Sequence, residues 1–265
     1  HDSTAAPASP KLQTIRASIC VLPFVNMSGE PEQEYFSDGI SEDITTDLSK
    51  VSSLEVVARN TAFSFKGQSP DVKEVAQKLG VSHVLEGSVR KAGSRVRINA
   101  QLIDGSTGKH LWADRFDRDL DDIFTIQDEI SKAIVDALKV KLLPAEKKAI
   151  EKRGTSNVEA YNLYLMARQQ WIQGSYGDLR RDKAILRFCK QAVDLDRDYA
   201  QAWALPGLAQ LELRGFQCLD GFAGEFGRTR DDAFDFMRQL AVSFGKAGFE
   251  FIKKSHFYLA TDFHR

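Results

Sequence analysis

Long apolar runs are absent from this sequence, since no stretch of its 265 residues approaches the roughly eighteen consecutive apolar residues of a membrane-spanning helix. No basic and apolar leader of the secretory kind is present either. The 36 positive and 37 negative residues nearly cancel, so no overall field attracts the chain to nucleic acid or to an anionic membrane. These absences predict a globular protein without a membrane span, and a hydrophobic content of 43% is enough for a sizeable core.

Residues that bind metals or cofactors are sparse and widely spaced. The three cysteines, Cys20, Cys189 and Cys218, form neither an even disulfide set nor a C-x-x-C pair. No two of the five histidines stand four residues apart on one helix, as a helical zinc site requires. The G-x-x-x-x-G-K-[ST] loop that cradles phosphates is missing too. We therefore expect no metal, no cofactor and no nucleotide hydrolysis.

The first half of the chain alternates strand and helix patterns. Residues 18–24 form a short, nearly all-apolar run that is typical of a strand covered on both faces. Residues 54–59 form a second, β-branched run that is also predicted to be a strand. A helix is predicted over residues 70–79, with Pro70 near its first turn and Gly80 just after its end.

The apolar period then changes from that of a helix to that of a strand with one solvated face. Residues 95–102 alternate cleanly between polar and apolar side chains, and turn residues flank them on both sides. Residues 83–118 are therefore predicted to form a three-stranded antiparallel meander. The helical period returns afterwards, and Pro144 is predicted to end that helix. The fold class predicted for residues 17–143 is therefore α/β, with a mixed sheet, an antiparallel meander and helices packed on it.

The second half shows helical patterns and no strand signal. Residues 144–157 are charged and then contain glycine and serine, so the stretch could extend the preceding helix before it becomes a linker, and we place a domain boundary there. Residues 158–265 are predicted to form an all-α domain, with helices at 158–173, 179–195, 199–214 and 230–253. Residues 1–16, rich in proline and small residues, are predicted to be a flexible linker.

Three long segments of the first half resemble one bacterial family. In chain order they are VLPFVNMSGEPEQEYFSDGISEDITTDLSKV, ARNTAFSFKG and VLEGSVRKAGSRVRINAQLIDGSTGKHLWADRFDRDLDDIFTIQDEI. They resemble the domain that is similar to the amino-terminal domain of the TolB translocation protein, over residues 17–143. The resemblance implies a domain between a signalling output module and tetratricopeptide repeats, with a class III adenylate cyclase domain or a CadC-like winged helix-turn-helix domain often upstream.

The segment DKAILRFCKQAVDLDRDYAQAW resembles adjoining helices of tetratricopeptide (TPR) repeats. Ala192 takes the small-residue position and Trp203 opens the next repeat. Arg197 replaces the proline that usually ends such a repeat, and the spacing from Tyr161 to Trp203 exceeds the repeat length of the family. The resemblance implies that residues 158–265 form a TPR-like helical domain with an atypical tail.

Five carboxylates crowd the segment EYFSDGISEDITTDLSKV at residues 34–51, which has the apolar period of a helix. On a helical wheel, Asp38 and Glu42 fall opposite the apolar stripe and are predicted to be solvated. Asp47 falls inside the stripe, about 20° from Ile40 at 100° per residue. A carboxylate in that position needs a partner.

These carboxylates can be interpreted as a chemical site or as a structural ion pair. Asp43 and Asp47 lie one helical turn apart, as a general acid–base pair or a metal site requires. Alternatively, Asp47 forms an ion pair with Arg59 or Lys66 of the next segment and holds the helix to the sheet. We favour the structural ion pair, most simply Asp47 with Arg59, because no nucleophile and base complete a catalytic set nearby.

The predicted meander carries basic residues interleaved with Trp112 and Phe116, a pattern shared with nucleic-acid-binding sheets. However, residues 83–122 contain seven basic and seven acidic residues. A solvated face of mixed charge with cross-strand ion pairs is therefore the preferred interpretation, and no specific nucleic acid is expected as a partner.

Four candidate partner-binding residues lie along one predicted helix of the second half: Tyr161, Tyr164, Arg168 and Gln169. They could line a groove for a protein partner, or the tyrosines could pack between neighbouring helices. We favour packing and retain the four residues as candidates.

The resemblances, together with the absence of an assembled catalytic set, imply a non-catalytic interaction or sensory module of a bacterial signalling protein, with a protein partner of unknown identity. One alternative is the regulatory C-terminal part of a class III adenylate cyclase, and a third is a nucleic-acid-binding module. With fewer than three regular repeats, the helical half needs its tail, the α/β domain or a second copy to cover its apolar faces, so a homo-oligomer is among the expectations. Unpaired cysteines favour the reducing cytoplasm, whereas TolB-like relatives include periplasm-facing proteins.

Overall fold

The computed structural model describes residues 17–173 and 178–206. Its strands are β1 (Ala17–Val21), β2 (Val25–Asn26), β3 (Leu54–Val56), β4 (His83–Ala92), β5 (Arg95–Asp104) and β6 (His110–Asp119). Its helices are α1 (Glu34–Ser49), α2 (Arg59–Phe63), α3 (Val72–Leu79), α4 (Ile123–Ala137), α5 (Pro144–Glu151), α6 (Val158–Gln173) and α7 (Leu179–Leu195). Residues 200–206 are helical as well. The predicted linker at 1–16 and the predicted tail at 216–265 lie outside the described residues.

One mixed sheet organises these elements in the order β3-β1-β4-β5-β6, with the short β2 paired to β4. β1 runs parallel to β3 and β4, whereas β4, β5 and β6 form an antiparallel meander. The inward residues predicted for β5 are all fully buried, namely Val96, Ile98, Ala100 and Leu102. The mixed α/β architecture with an antiparallel meander is thus confirmed.

The main core lies on one face of the sheet. There α1 and α4 pack on the sheet through fully buried aliphatic side chains, and the cluster includes Ile40, Ile44, Leu48, Ile126, Ile130, Ile134, Ile98 and Leu102. A smaller cluster forms where α2 and α3 cover β1 and β4, and it contains Cys20, Leu22, Ala62, Phe65, Val75, Ala76 and Val84. The apolar run of β1 is therefore explained by burial on both faces of the sheet.

The second predicted strand is shorter than expected, because β3 ends at Val56 and Arg59 begins α2. The next helix matches its prediction closely. Asp71 caps the start of α3 by accepting a hydrogen bond from the Lys73 N–H at 2.7 Å. Gly80 ends the helix in the left-handed conformation, with φ of 65°.

Pro144 begins a helix instead of ending one, which corrects the prediction. α4 ends at Ala137, the chain turns at Lys139 with φ of 54°, and Pro144 then occupies the first turn of α5. That place suits proline, because the first turn of a helix needs no hydrogen bond from its backbone N–H. Residues 144–157, interpreted from sequence as a linker, thus hold a helix whose Ile150 is fully buried.

Glu146 ties α5 to the end of α1. Its carboxylate accepts hydrogen bonds from the Ser52 hydroxyl at 2.6 Å, the Ser52 N–H at 2.9 Å and the Leu143 N–H at 2.9 Å. These donors favour the ionised form and hold the pKa of Glu146 below its ordinary value.

We expect Glu146→Gln to lower the thermal midpoint of unfolding at pH 7 and to lower it by a smaller amount at pH 3. A depressed pKa in the folded state stabilises the protein above the ordinary carboxyl pKa, and this stabilisation is lost as the pH falls through the depressed value. Thermal unfolding of both proteins across this pH range is the measurement. Glu55→Gln, at an exposed position of β3, serves as the control. An equal deficit at both pH values would contradict the assignment.

The helices α6 and α7 have the bounds predicted at 158–173 and 179–195. They pack with residues 199–206 through buried side chains, which include Ala160, Ala192, Tyr199, Trp203, Ala167, Ile185, Cys189 and Leu205. However, α6 also contributes Tyr161 and Leu165 to the main core. A separate TPR-like all-α domain is therefore not shown.

Gly39 of α1 allows α6 to pack closely against α1. A Cβ at that position would lie 2.6 Å from Leu165 Cδ1, so a larger residue there would displace the Leu165 side chain. No helix in residues 17–173 and 178–206 is both long and apolar enough to cross a membrane.

Candidate functional site

The carboxylates of α1 meet side chains from later segments in what we name the α1 network. Its members are Asp38, Glu42, Asp43, Asp47, Arg59, Lys66, Gln127, Arg153, Tyr161 and Arg168. The network forms because α1 lies between the sheet and α6, so that the face of α1 turned away from the sheet is also covered.

Glu42 is buried, with 6% of its surface exposed, which corrects the prediction of a solvated side chain. Its Oε1 lies 2.6 Å from Arg59 Nε and 2.5 Å from Arg168 Nη2. Burial raises the pKa of Glu42, while the charges of Arg168 and Arg59 oppose that rise. One carboxylate of α1 thereby joins α2 to α6.

Asp38, the other residue predicted to be solvated, is half-buried. Its Oδ2 lies 2.5 Å from Lys66 Nζ, which also reaches Glu34 at 3.2 Å. Burial raises the pKa of Asp38, with Lys66 opposing that rise. Lys66, which the sequence suggested as an alternative partner of Asp47, therefore binds Asp38 and Glu34.

Asp47 is buried, as its place in the apolar stripe predicts, but its partners differ from the predicted one. Its Oδ2 lies 3.0 Å from Arg153 Nη1 and its Oδ1 lies 2.8 Å from Lys50 Nζ. Arg153 follows α5 and also contacts Asp128. The predicted pair with Arg59 is wrong, since that guanidinium binds Glu42. Burial raises the pKa of Asp47 against the opposing charges of Arg153 and Lys50.

Asp43 belongs to a hydrogen-bonded cluster that sequence reasoning missed. The Tyr161 hydroxyl donates to Asp43 Oδ2. Gln127 Nε2 of α4 donates to the same Asp43 oxygen at 2.9 Å and to the Tyr161 hydroxyl oxygen at 3.0 Å. Burial, followed by the charge of Asp43, raises the pKa of Tyr161 well above its ordinary value, so the phenol stays protonated as the donor. The cluster links α1, α4 and α6.

The four candidate partner-binding residues of α6 face inward or line a cavity. Tyr161 is buried in the main core, and the Tyr164 ring packs edge-on against Tyr199 at 5.3 Å between ring centres. Arg168 pairs with Glu42, and Gln169 lines the cavity between α1 and α6. The structure thus places both tyrosines between helices, which is the arrangement favoured from sequence.

A small cavity of about 20 Å³ lies between α1 and α6. Its lining includes Tyr35, Asp38, Glu42, Arg59, Arg168 and Gln169. That volume is close to the space one water molecule requires. The arrangement therefore suits charge neutralisation between helices.

No group of three or more histidine, cysteine, aspartate or glutamate side chains that could hold a metal ion occurs among the described residues. Asp43 and Asp47, considered from sequence as an acid–base pair or a metal site, are instead bound to Tyr161 and Gln127 and to Arg153 and Lys50, respectively. Their oxygens are thus engaged in contacts that stabilise the fold.

The meander bears the cross-strand ion pairs expected from its balanced charges. Asp117 of β6 binds Arg95 at 2.8 Å and also binds Arg97, both on β5. Phe116 and Trp112 pack toward the main core, on the face opposite these ion pairs. Since base stacking needs exposed aromatic rings beside the cations, this geometry disfavours the nucleic-acid interpretation.

Comparison with known proteins gives one family match and a curated relative. Residues 15–153 match the family described as "HilA/YgeH-like transcriptional regulator, second domain". The protein named "Putative adenylate cyclase 3" from Rhizobium meliloti (strain 1021) is 57% identical over 169 residues, which cover 64% of this chain. The match spans only 29% of the length of that relative.

Similar solved structures include TolB from Acinetobacter baumannii, at 20% identity and a TM-score of 0.35, covering 46% of this chain and 28% of TolB. The lipoprotein GNA1162 from Neisseria meningitidis gives 21% identity and a TM-score of 0.34, covering 48% of this chain and 99% of that one. The LpoB C-terminal domain from Salmonella enterica gives 16% identity and a TM-score of 0.32, covering 39% of this chain and 83% of that one.

Proposed function

We propose that this chain, which belongs to the family of the second domain of HilA/YgeH-like transcriptional regulators, is a regulatory module of a larger bacterial protein and catalyses no reaction itself. The α1 network carries the proposal. Its buried carboxylates are bound by cations, an amide and a phenol of other segments, so they serve to connect helices. The regulatory description of the matched family supports the same role.

The network also indicates how such a module would transmit a signal. Glu42 and Asp43 connect α1, which packs on the sheet, directly to α6 through Arg168 and Tyr161. A shift of α6 therefore changes contacts made by buried charges, and such contacts break at a high energetic cost. We propose that a protein partner acts on the helices from α6 onward, as TPR-like helices do, and that α1 relays the change to the sheet.

A second candidate is the regulatory part of a class III adenylate cyclase. The identity of 57% to a protein named as a putative adenylate cyclase favours it. The two candidates differ in the output domain that accompanies this chain and agree on the role of the chain itself.

The test uses the open reading frame that contains this chain. We expect deletion of residues 17–206 to change the output, measured as cyclic AMP or as transcription of a target gene, by severalfold. Arg168→Ala is expected to change it in the same direction, because it frees α6 from Glu42. Arg180→Ala removes an arginine with a 92% exposed side chain and is the matched control.

An output unaffected by both the deletion and Arg168→Ala would contradict a regulatory role. The 265-residue chain itself should form no cyclic AMP from ATP. Turnover that disappears on replacing one carboxylate of α1, with the fold intact, would contradict the non-catalytic assignment.

A further inference from the structure

The outer edge of β6 has no neighbouring strand among the described residues, since the sheet ends there. The Leu120 N–H donates to the Ser94 carbonyl at 2.7 Å, so these two residues form a hydrogen-bonded pair between β6 and β5. Hydrogen-bonded and non-hydrogen-bonded pairs alternate along an antiparallel ladder, which fixes the type of every other pair. Even-numbered residues of β6 therefore bond to β5, and odd-numbered residues from Ala113 to Asp119 direct their N–H and C=O groups outward. A row of backbone donors and acceptors is left available for another strand.

The charges along this edge are complementary to themselves. Asp114 and Arg115 precede Phe116, and Asp117 and Arg118 follow it. If a second copy of β6 runs antiparallel with Phe116 at the centre, Arg115 faces Asp117 of the other copy and Asp114 faces Arg118 of the other copy. Moving the centre by one residue would set Arg115 or Asp117 opposite itself, and like charges directly opposite are destabilising.

The backbone geometry permits this register, and the charges distinguish it from the neighbouring ones. Arg115 and Asp117 both direct their backbone groups outward, so they can form a hydrogen-bonded pair across the two copies. Phe116 then faces its own copy as a non-hydrogen-bonded pair, in which side chains come closest. In residues 17–173 and 178–206 the exposed Arg115 guanidinium has no ion pair, so it is free to meet a carboxylate.

We propose that β6 pairs with β6 of a second copy of this chain, antiparallel and centred on Phe116, and so joins two sheets into one. Charged side chains on a sheet edge commonly prevent such pairing, but here each charge faces an opposite charge when the strand is reversed. Asp117 and Arg118 keep their own partners within the chain, Arg95 and Arg97 for the one and Glu129 for the other. One strand pair buries less surface than a permanent dimer requires, so the dimer is expected to depend on concentration.

Sedimentation velocity of the 265-residue chain at micromolar concentrations tests the proposal. The unmodified chain is expected to form a concentration-dependent dimer. Arg115→Pro removes one outward N–H without touching the bonds to β5 and should abolish the dimer. Arg115→Glu should weaken the dimer about tenfold or more, since two like-charge contacts replace two ion pairs. Arg90→Glu, an exposed change on β4 away from the edge, should leave the dimer unchanged.

A mixing experiment tests the register. Arg115→Glu and Asp117→Arg should each weaken the dimer alone, because each sets like charges opposite one another. Mixed together, they restore opposite charges in both contacts, so a heterodimer should form. Asp117→Arg also removes the ion pairs with Arg95 and Arg97, so circular dichroism and thermal unfolding verify that each variant is folded before mixing.

Three outcomes would overturn the proposal. They are a monomer at every concentration, a dimer that survives Arg115→Pro because other residues form it, and a failure of the mixed variants to associate.

Discussion

Replacing Tyr161 by alanine is expected to lower the free energy of unfolding by about 4 kcal/mol. The ring is 4% exposed and packs edge-on against Phe124 at 5.1 Å between ring centres, so truncation leaves a cavity at the meeting of α1, α4 and α6. The change also leaves Asp43 and Gln127 without their common hydrogen-bonding partner. Urea unfolding followed by circular dichroism is the measurement.

The variant Tyr161→Phe separates the two contributions, because it keeps the ring and removes only the hydroxyl. We expect it to cost about 2 kcal/mol, as for a buried hydrogen bond to a charged group. If Tyr161→Ala cost below about 1 kcal/mol, α6 would not be part of the main core.

Replacing Asp47 by alanine is expected to cost about 3 kcal/mol, because it leaves the guanidinium of Arg153 without one of its carboxylates in a largely buried site. The Asp47 side chain is 2% exposed, so water can replace little of the lost interaction. Chemical unfolding at pH 7 measures the effect.

Double-mutant cycles identify the partner of Asp47. Changes at Asp47 and Arg153 should be coupled by at least about 1 kcal/mol, whereas changes at Asp47 and Arg59 should add within about 0.5 kcal/mol. The reverse result would favour the pair predicted from sequence. The Arg59 variant should couple instead to Glu42.

Much of the fold follows from local patterns in the sequence. The alternation of β5 is visible because one face of the meander is buried and the other is solvated. The bounds of α6 and α7 are predictable because turn and cap residues flank each apolar period. Gly80 marks the end of α3 for a similar reason, since glycine readily adopts the left-handed conformation that ends the helix.

The network around α1 was not predictable in the same way. A helical wheel assumes one buried face, so it assigns Glu42 to solvent, whereas α6 covers that second face. The partners Arg153 and Tyr161 are more than a hundred residues from Asp47 and Asp43 in sequence, and no local pattern connects them. One available signal was Gly39, because a glycine in the middle of a helix often marks the close approach of another element.

Pro144 shows how one residue supports two opposite predictions. Proline disfavours the helix that precedes it and fits the first turn of a helix that follows. The local signal for a helix start is Glu146 in the first turn, since its carboxylate accepts a hydrogen bond from the Leu143 N–H just before the helix.

The account depends most on the claim that α1 holds α6 to the sheet through buried polar contacts. A double-mutant cycle between Asp43→Asn and Tyr161→Phe tests this claim most directly, with the coupling taken from free energies of unfolding. We predict a coupling of about 1 to 2 kcal/mol. A coupling below about 0.3 kcal/mol, with both variants folded, would contradict it.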